Sequence, residues 1–255
     1  MKANAGNWLN LPSLSIPVKA LFTGYLMVVG LGLLMAGAQI MQTHGMADGK
    51  FGLSMDDIVY SYYGNREGSK LENKLNGSMK DKATPEENLV LIKWARNGAD
   101  EQQWAQTIKP IVDQRCAVCH VHIESLPNVT DYKIMQKIAE VDHGAETSAL
   151  TRVSHIHLFG ISFIFFFVGF IFSLAVGFKP WVKAAIIFVP FAFLVLDVSA
   201  WWLTKYQPGF AYLVIIGGFG YSVASAIMIF TSLYQMWIMP MRHAVPTVQN
   251  TWKDG

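Results

Sequence analysis

The chain has 255 residues, of which 52% are hydrophobic and 15% charged, and its formal net charge at pH 7 is +2. Average soluble domains carry about 25% charged residues, so this balance points to a membrane protein and away from one soluble core. No basic run with interleaved aromatics occurs, which excludes nucleic acid as a partner.

The first predicted element is an apolar run over residues 18–41, "VKALFTGYLMVVGLGLLMAGAQIM". A bilayer span needs about 20 mostly apolar residues, and this run meets that length. "AGA" at 36–38 resembles a signal-peptide cleavage site. The apolar stretch is longer than a usual signal-peptide core, so an uncleaved anchor is expected. His44 follows at its end.

Residues 42–153 are polar and are expected to form one small helical domain outside the membrane. Between 42 and 152 there are 16 Asp and Glu against 13 Lys and Arg, a mild acidity that steers toward no particular partner. Within it, "MKDKATPEENLVLIKWARNGA" (79–99) reads as a capped helix. Thr84 is the N-cap, Pro85 occupies the first helical position and Glu87 completes a capping box. Leu89, Leu91 and Ile92 supply its apolar face, and "NGA" closes it. The next segment, "WAQTIKPIVDQRCAVCH" (104–120), places Ile108, Ile111 and Val112 on one helical face.

Cys116 and Cys119 are the two cysteines of the chain, and His120 follows directly. Two thiols on one helical turn can reach both vinyl groups at a porphyrin edge, with the adjacent imidazole under the iron. Other chemistries use the same residues less well. A structural zinc site takes four ligands, and there is no second cysteine pair. A thioredoxin-like redox pair sits in a βαβ context, which is not visible here. A disulfide over so short a loop constrains the unfolded chain little.

On these residues the domain resembles small cytochrome c domains, and the chain resembles a membrane-anchored monohaem c-type cytochrome. In such domains an amphipathic helix leads straight into Cys-x-x-Cys-His, and a Met loop precedes a closing helix. Here the closing helix comes before the haem-binding helix, as in a circular permutation or behind a degenerate first half. The resemblance implies one covalent haem c on Cys116 and Cys119, with His120 as proximal ligand. It implies Met79, just ahead of "ATPEENL", as the sixth ligand. His143, in "EVDHGAE", is the alternative, whereas Met135 in "YKIMQKIAEV" is expected in the core. Met/His ligation gives a higher potential than two histidines.

Three further spans are expected at 154–177, 182–203 and 210–238. The second opens with "SHIHLFG", in which His155 and His157 diverge by about 200° on a helix. With His44 they form a possible second site for a metal or a quinol. Asp197 is the carboxylate within a span, and intramembrane ionisable residues default to function. Lys205, eight residues on, could pair with it. Trp201, Trp202 and Tyr206 read as an interfacial belt, and "GGFGYSVASA" (217–226) as a small-residue packing face. Lys179 and Lys183, against Lys205 alone in the next linker, put both termini in the cytoplasm and the polar domain outside. Haem attachment on the outer side of a bacterial inner membrane requires the same orientation.

The expectation is an all-α protein with four transmembrane helices and an extracytoplasmic cytochrome c-like domain between the first and second. Its domains run 1–41, 42–153, 154–238 and 239–255, the last a cytoplasmic tail. The expected function is single-electron transfer within a larger membrane oxidoreductase complex or to a soluble periplasmic carrier, with membrane lipid around the helices. No nucleophile–base pair argues for catalysis by the chain alone. Two other classes use the same residues: a quinol-oxidising or metal-containing enzyme subunit, and a haem-based structural or sensory subunit.

Overall fold

The computed structural model describes residues 9–43, 52–124 and 126–242. Regular structure among them is helical, relieved by one isolated antiparallel bridge between Ser69 and Val141. After α1 (Ile16–Thr43) come the short helices α2 (Met55–Tyr62), α3 (Lys70–Asn76), α4 (Pro85–Arg96) and α5 (Glu101–Gln103). They continue as α6 (Lys109–Arg115), α7 (Ala117–His120) and α8 (Tyr132–Ala139). The long helices α9 (Thr147–Ser173), α10 (Pro180–Tyr206) and α11 (Ala211–Leu233) follow, and α12 (Met239–Arg242) ends the described chain.

Four helical stretches are long and apolar enough to cross a membrane: Ile16–Gln42, Thr147–Ser173, Pro180–Tyr206 and Pro208–Arg242. The protein is a membrane protein whose polar, all-helical region lies between its first and second spanning helices. The second span begins earlier than residue 154 because "TSALTRV" continues the helix backward. Pro180 starts α10, as proline suits a first helical position.

The chain sorts into two compact units. One comprises the segments up to Ala38, Ser148–Trp201 and from Tyr212 on; the other comprises Gln39–Thr147 and Trp202–Ala211. In the first, Leu26, Val168, Phe172, Met228 and Met236 form a buried apolar cluster. Backbone without helical partners is costly in lipid, and polar side chains answer it here. The Gln235 amide donates to the Val176 carbonyl and its oxygen accepts from the Val176 N–H, both at 2.8 Å. Lys19 Nζ donates to the Pro12 carbonyl at 2.9 Å.

In the second unit, α4 is capped as the sequence predicts. Thr84 Oγ1 accepts from the Glu87 N–H at 3.2 Å, and Glu87 Oε2 accepts from the Thr84 N–H at 2.8 Å. Its buried face is Leu91, Trp94 and Ala95, while Leu89 is 51% exposed. The face therefore lies one register away from the expected Leu89, because the large Trp94 indole takes the interior. Trp94 packs at 5.6 Å on Trp104 and donates its N–H to the Asp100 carbonyl at 2.9 Å. Trp104 opens a π-helical turn, Trp104–Ile108, which leads into α6. Ile108 and Val112 are buried in the same core, with Ile111 at its edge.

The segment after α2 meets the segment before α9 at two glycines with left-handed backbone, Gly64 (φ +84) and Gly144 (φ +70). A Cβ on Gly144 would lie 2.2 Å from the Tyr62 carbonyl oxygen. Backbone atoms cannot yield as a side chain would, so both strain and contact fall on Gly144→Ala. This variant should lose at least about 2 kcal/mol of stability in this unit, read as an earlier thermal transition in the tryptophan fluorescence of the full chain.

Candidate functional site

The Cys116 N–H donates to the Val112 carbonyl at 2.8 Å, so the buried side of α6 fixes where Cys116 emerges. The N–H groups of Cys119 and His120 both reach the Cys116 carbonyl, at 3.2 and 3.0 Å, which winds all three residues onto one turn. Both thiols are free. Cys116 is half-buried against the Trp94 and Trp104 core, and Cys119 is exposed. Burial, with smaller contributions from Glu87 and Cys119, pushes the Cys116 thiol above its ordinary value.

His120 Nδ1 lies 2.8 Å from the Pro127 carbonyl oxygen. A carbonyl can only accept, so Nδ1 carries a proton, and in the neutral ring Nε2 has the lone pair. The imidazole is thus held in the tautomer that a metal ligand requires. Around it Val118 is 69% exposed, and Val121 and Ile123 are exposed as well. Two free thiols on one turn, a lone-pair imidazole and an exposed apolar rim fit a flat, mostly apolar cofactor held by both sulfurs and one axial nitrogen.

Met79 is half-buried and packs on the same core as Cys116. Met135 is fully buried in that core, as the amphipathic pattern of its helix predicts. His143 is exposed, and its carbonyl accepts from Lys205 Nζ at 3.3 Å. Lys205 also donates to the Ala145 carbonyl at 2.6 Å, so its amine serves this loop. It is not the partner of Asp197.

Arg115, next to Cys116, donates through Nε to Glu87 Oε2 at 3.0 Å, which ties the motif to the N-terminus of α4. The Thr84 backbone N–H, then Arg115, hold the Glu87 carboxyl below its ordinary value.

The histidines of "SHIHLFG" separate. His155 is exposed, with its ring 5.6 Å from Phe159. His157 bonds the Val153 carbonyl through Nδ1 at 2.9 Å and stands edge-on to Trp201 at 5.0 Å. Trp201 is 6% exposed, turned into the bundle and not a belt residue. Its indole N–H donates to Asp197 Oδ1 at 2.9 Å, and the Tyr221 hydroxyl bonds the same carboxyl group. Gly217 permits the approach, since a Cβ there would meet Asp197 Cβ at 2.7 Å. Among the described residues no group of three or more His, Cys, Asp or Glu side chains could hold a metal ion. His44 lies outside the described residues. Trp201 and Tyr221 were missed as members of this cluster. For Trp201 the signal was its spacing, four residues from Asp197 on one helix; for Tyr221, on another helix, there was none.

Residues 139–243 match a protein family described as a transmembrane helical domain. The match covers less than half of the chain and begins after the Cys-x-x-Cys-His segment. No curated protein matches the chain, and no solved structure does.

Two outcomes follow from the cysteine segment. In the full chain without cofactor, iodoacetamide should label Cys119 several-fold faster than Cys116 at pH 7.5, as read by peptide mass mapping. Glu87 has a lowered folded-state value, so its stabilisation is present above the unfolded carboxylate range and is lost as pH falls through the folded value. The early acid-side loss of helical signal should therefore shrink in Glu87→Gln, compared by circular dichroism between pH 7 and 3.

Proposed function

We propose that the protein is a membrane-bound c-type cytochrome that passes single electrons at the outer face of a bacterial inner membrane. The observation that carries this reading is His120 Nδ1 at 2.8 Å from the Pro127 carbonyl, inside Cys-x-x-Cys-His. This bond fixes the imidazole in the tautomer that a metal ligand through Nε2 requires. Cys116 and Cys119 would hold one haem c by thioether bonds, and His120 Nε2 would be its proximal ligand. The haem supplies a one-electron couple, iron(III)/iron(II).

The residues of the chain set the conditions for that couple. The Pro127 carbonyl orients the imidazole and raises its basicity. Val118, Val121 and Ile123 present the apolar surface that such a group would cover, excluding water from its edge. Met79, packed on the same core as Cys116, is the proposed sixth ligand, in keeping with the resemblance to small cytochrome c domains in permuted order. His143 is the alternative. Met79 would favour the reduced state and a higher potential. Four spans exceed what an anchor requires, which supports membership in a larger oxidoreductase complex. A soluble periplasmic carrier is the other proposed partner.

The test is to produce the full chain in a bacterium competent for c-type maturation and measure its mass and spectra. The intact protein should gain the mass of one haem, and Cys116→Ala with Cys119→Ala should gain none. A Met-to-iron charge-transfer band in the ferric protein should vanish in Met79→Ala and survive in His143→Ala. A chain that stays haem-free while a control cytochrome matures in the same cells would sink the proposal. A bis-histidine spectrum unchanged in Met79→Ala would move the sixth ligand to His143.

A further inference from the structure

The cluster around Asp197 has no role in the cysteine site, yet it joins a buried carboxyl group to an indole and a phenol inside the spanning helices. Asp197 is 4% exposed and lies nine residues from the end of α10 at Tyr206, about 13 Å along the helix axis. An ionisable side chain at that depth is costly to insert and marks function by default. Three spanning helices contribute to it: α9 through His157, α10 through Asp197 and Trp201, and α11 through Tyr221.

The chemistry on offer is specific. Asp197 supplies acceptor oxygens, one of which already takes the Trp201 indole N–H at 2.9 Å. The Tyr221 hydroxyl engages the same carboxyl group, and its ring packs on Phe165 at 5.7 Å. His157 has Nδ1 committed to the Val153 carbonyl, which leaves Nε2 as a second acceptor. His157 and Tyr221 are only half-buried, so the cluster is not sealed.

Metal binding does not suit a single carboxyl beside a single imidazole. Two acceptors, one hydroxyl and aromatic walls within an apolar bundle suit a flat aromatic ring that carries hydroxyl groups and arrives through the lipid.

We propose that His157, Asp197, Trp201 and Tyr221 bind the headgroup of a membrane hydroquinone. One ring hydroxyl donates to the Asp197 carboxyl group. The aromatic rings of Trp201, Tyr221 and Phe165 supply the apolar contact. The inference goes beyond the electron-transfer reading and does not require haem on Cys116 and Cys119.

The experiment is titration calorimetry of the full chain in lipid nanodiscs, with a decyl-tailed benzoquinol kept reduced under anaerobic conditions. The wild type should bind it saturably at one site per chain. Asp197→Asn should weaken binding about tenfold or more, and Tyr221→Phe and Trp201→Phe about threefold or more. His155→Gln, on the diverging face of α9, should bind like the wild type. Because Asp197→Asn removes a buried group and could misfold, Tyr221→Phe and His157→Gln, checked by size-exclusion and circular dichroism, decide independently. No saturable binding by the wild type would overturn the proposal. Wild-type affinity in all of the folded Asp197, Tyr221 and His157 variants would overturn it too. Saturable binding by a chain that stays haem-free in cells where a control cytochrome matures would support this site while sinking the electron-transfer reading, so the two fail separately.

Discussion

Trp94 packed at a tilt against Trp104 is the contact on which the polar domain depends. The two indoles belong to consecutive helical segments, and the Trp94 N–H reaches the Asp100 carbonyl in the link between them. This one arrangement folds the chain back on itself and satisfies the buried donor that Trp94 brings inside. Trp104 passes the constraint on to Tyr132 at 5.8 Å, whose hydroxyl closes onto the Ala99 carbonyl. Ile108 and Val112 bury against the same core, and Cys116 is fixed by its hydrogen bond to Val112. The position of both thiols is thus a downstream result of where two tryptophans pack. Truncating either buried indole removes contacts typically worth about 3–5 kcal/mol, which a domain this small has little reserve to absorb.

The spanning helices obey a different rule. Lipid offers no hydrogen bonds, so each turn of backbone that leaves the helix must find a partner inside the protein. Gln235 clamps both polar atoms of Val176, Lys19 reaches the Pro12 carbonyl, and the Leu11 N–H reaches the Leu174 carbonyl at 3.0 Å. Phe166, Phe219 and Phe230 remain largely exposed on the helix surfaces, where lipid is the natural solvent. Against this background the carboxyl group of Asp197 stands out, because its bonds go to side chains and repair no break in the backbone.

The sequence made some of this legible and concealed the rest. The four spans stood out because length and apolarity are additive along the chain, and the ends of α9 and α10 shifted because helix propensity continues past the last apolar residue. Thr84, Pro85 and Glu87 were readable because capping is a local interaction within four residues. The face of α4 was misread at Leu89, since a periodicity of leucines gave no weight to the volume of Trp94. Cys116, Cys119 and His120 were readable as a motif, but the Pro127 carbonyl was not, since any residue can offer one. Trp201 looked like an interfacial residue because aromatic composition is shared by belts and buried sites. Its pairing with Asp197 follows from i to i+4 geometry, whereas the arrival of Tyr221 and His157 from other helices is a tertiary fact that no local pattern encodes.

The π-helical turn at Trp104–Ile108 carries a consequence for how this segment can change over time. A π turn is a helix with one extra residue wound into it, and such turns tend to persist at functional sites. Each residue of an α-helix advances the chain by about 100°. Deleting one solvent-side residue there, such as Gln106, would let the turn relax to ordinary helix while the residues after it keep their direction, because the π turn absorbs the phase of its extra residue. Val112 would keep the interior, and Cys116 and Cys119 would face the same way. The segment therefore has one residue of slack: it accepts the loss of that residue, whereas a second deletion, taken from ordinary helix, would turn both cysteines by about 100°.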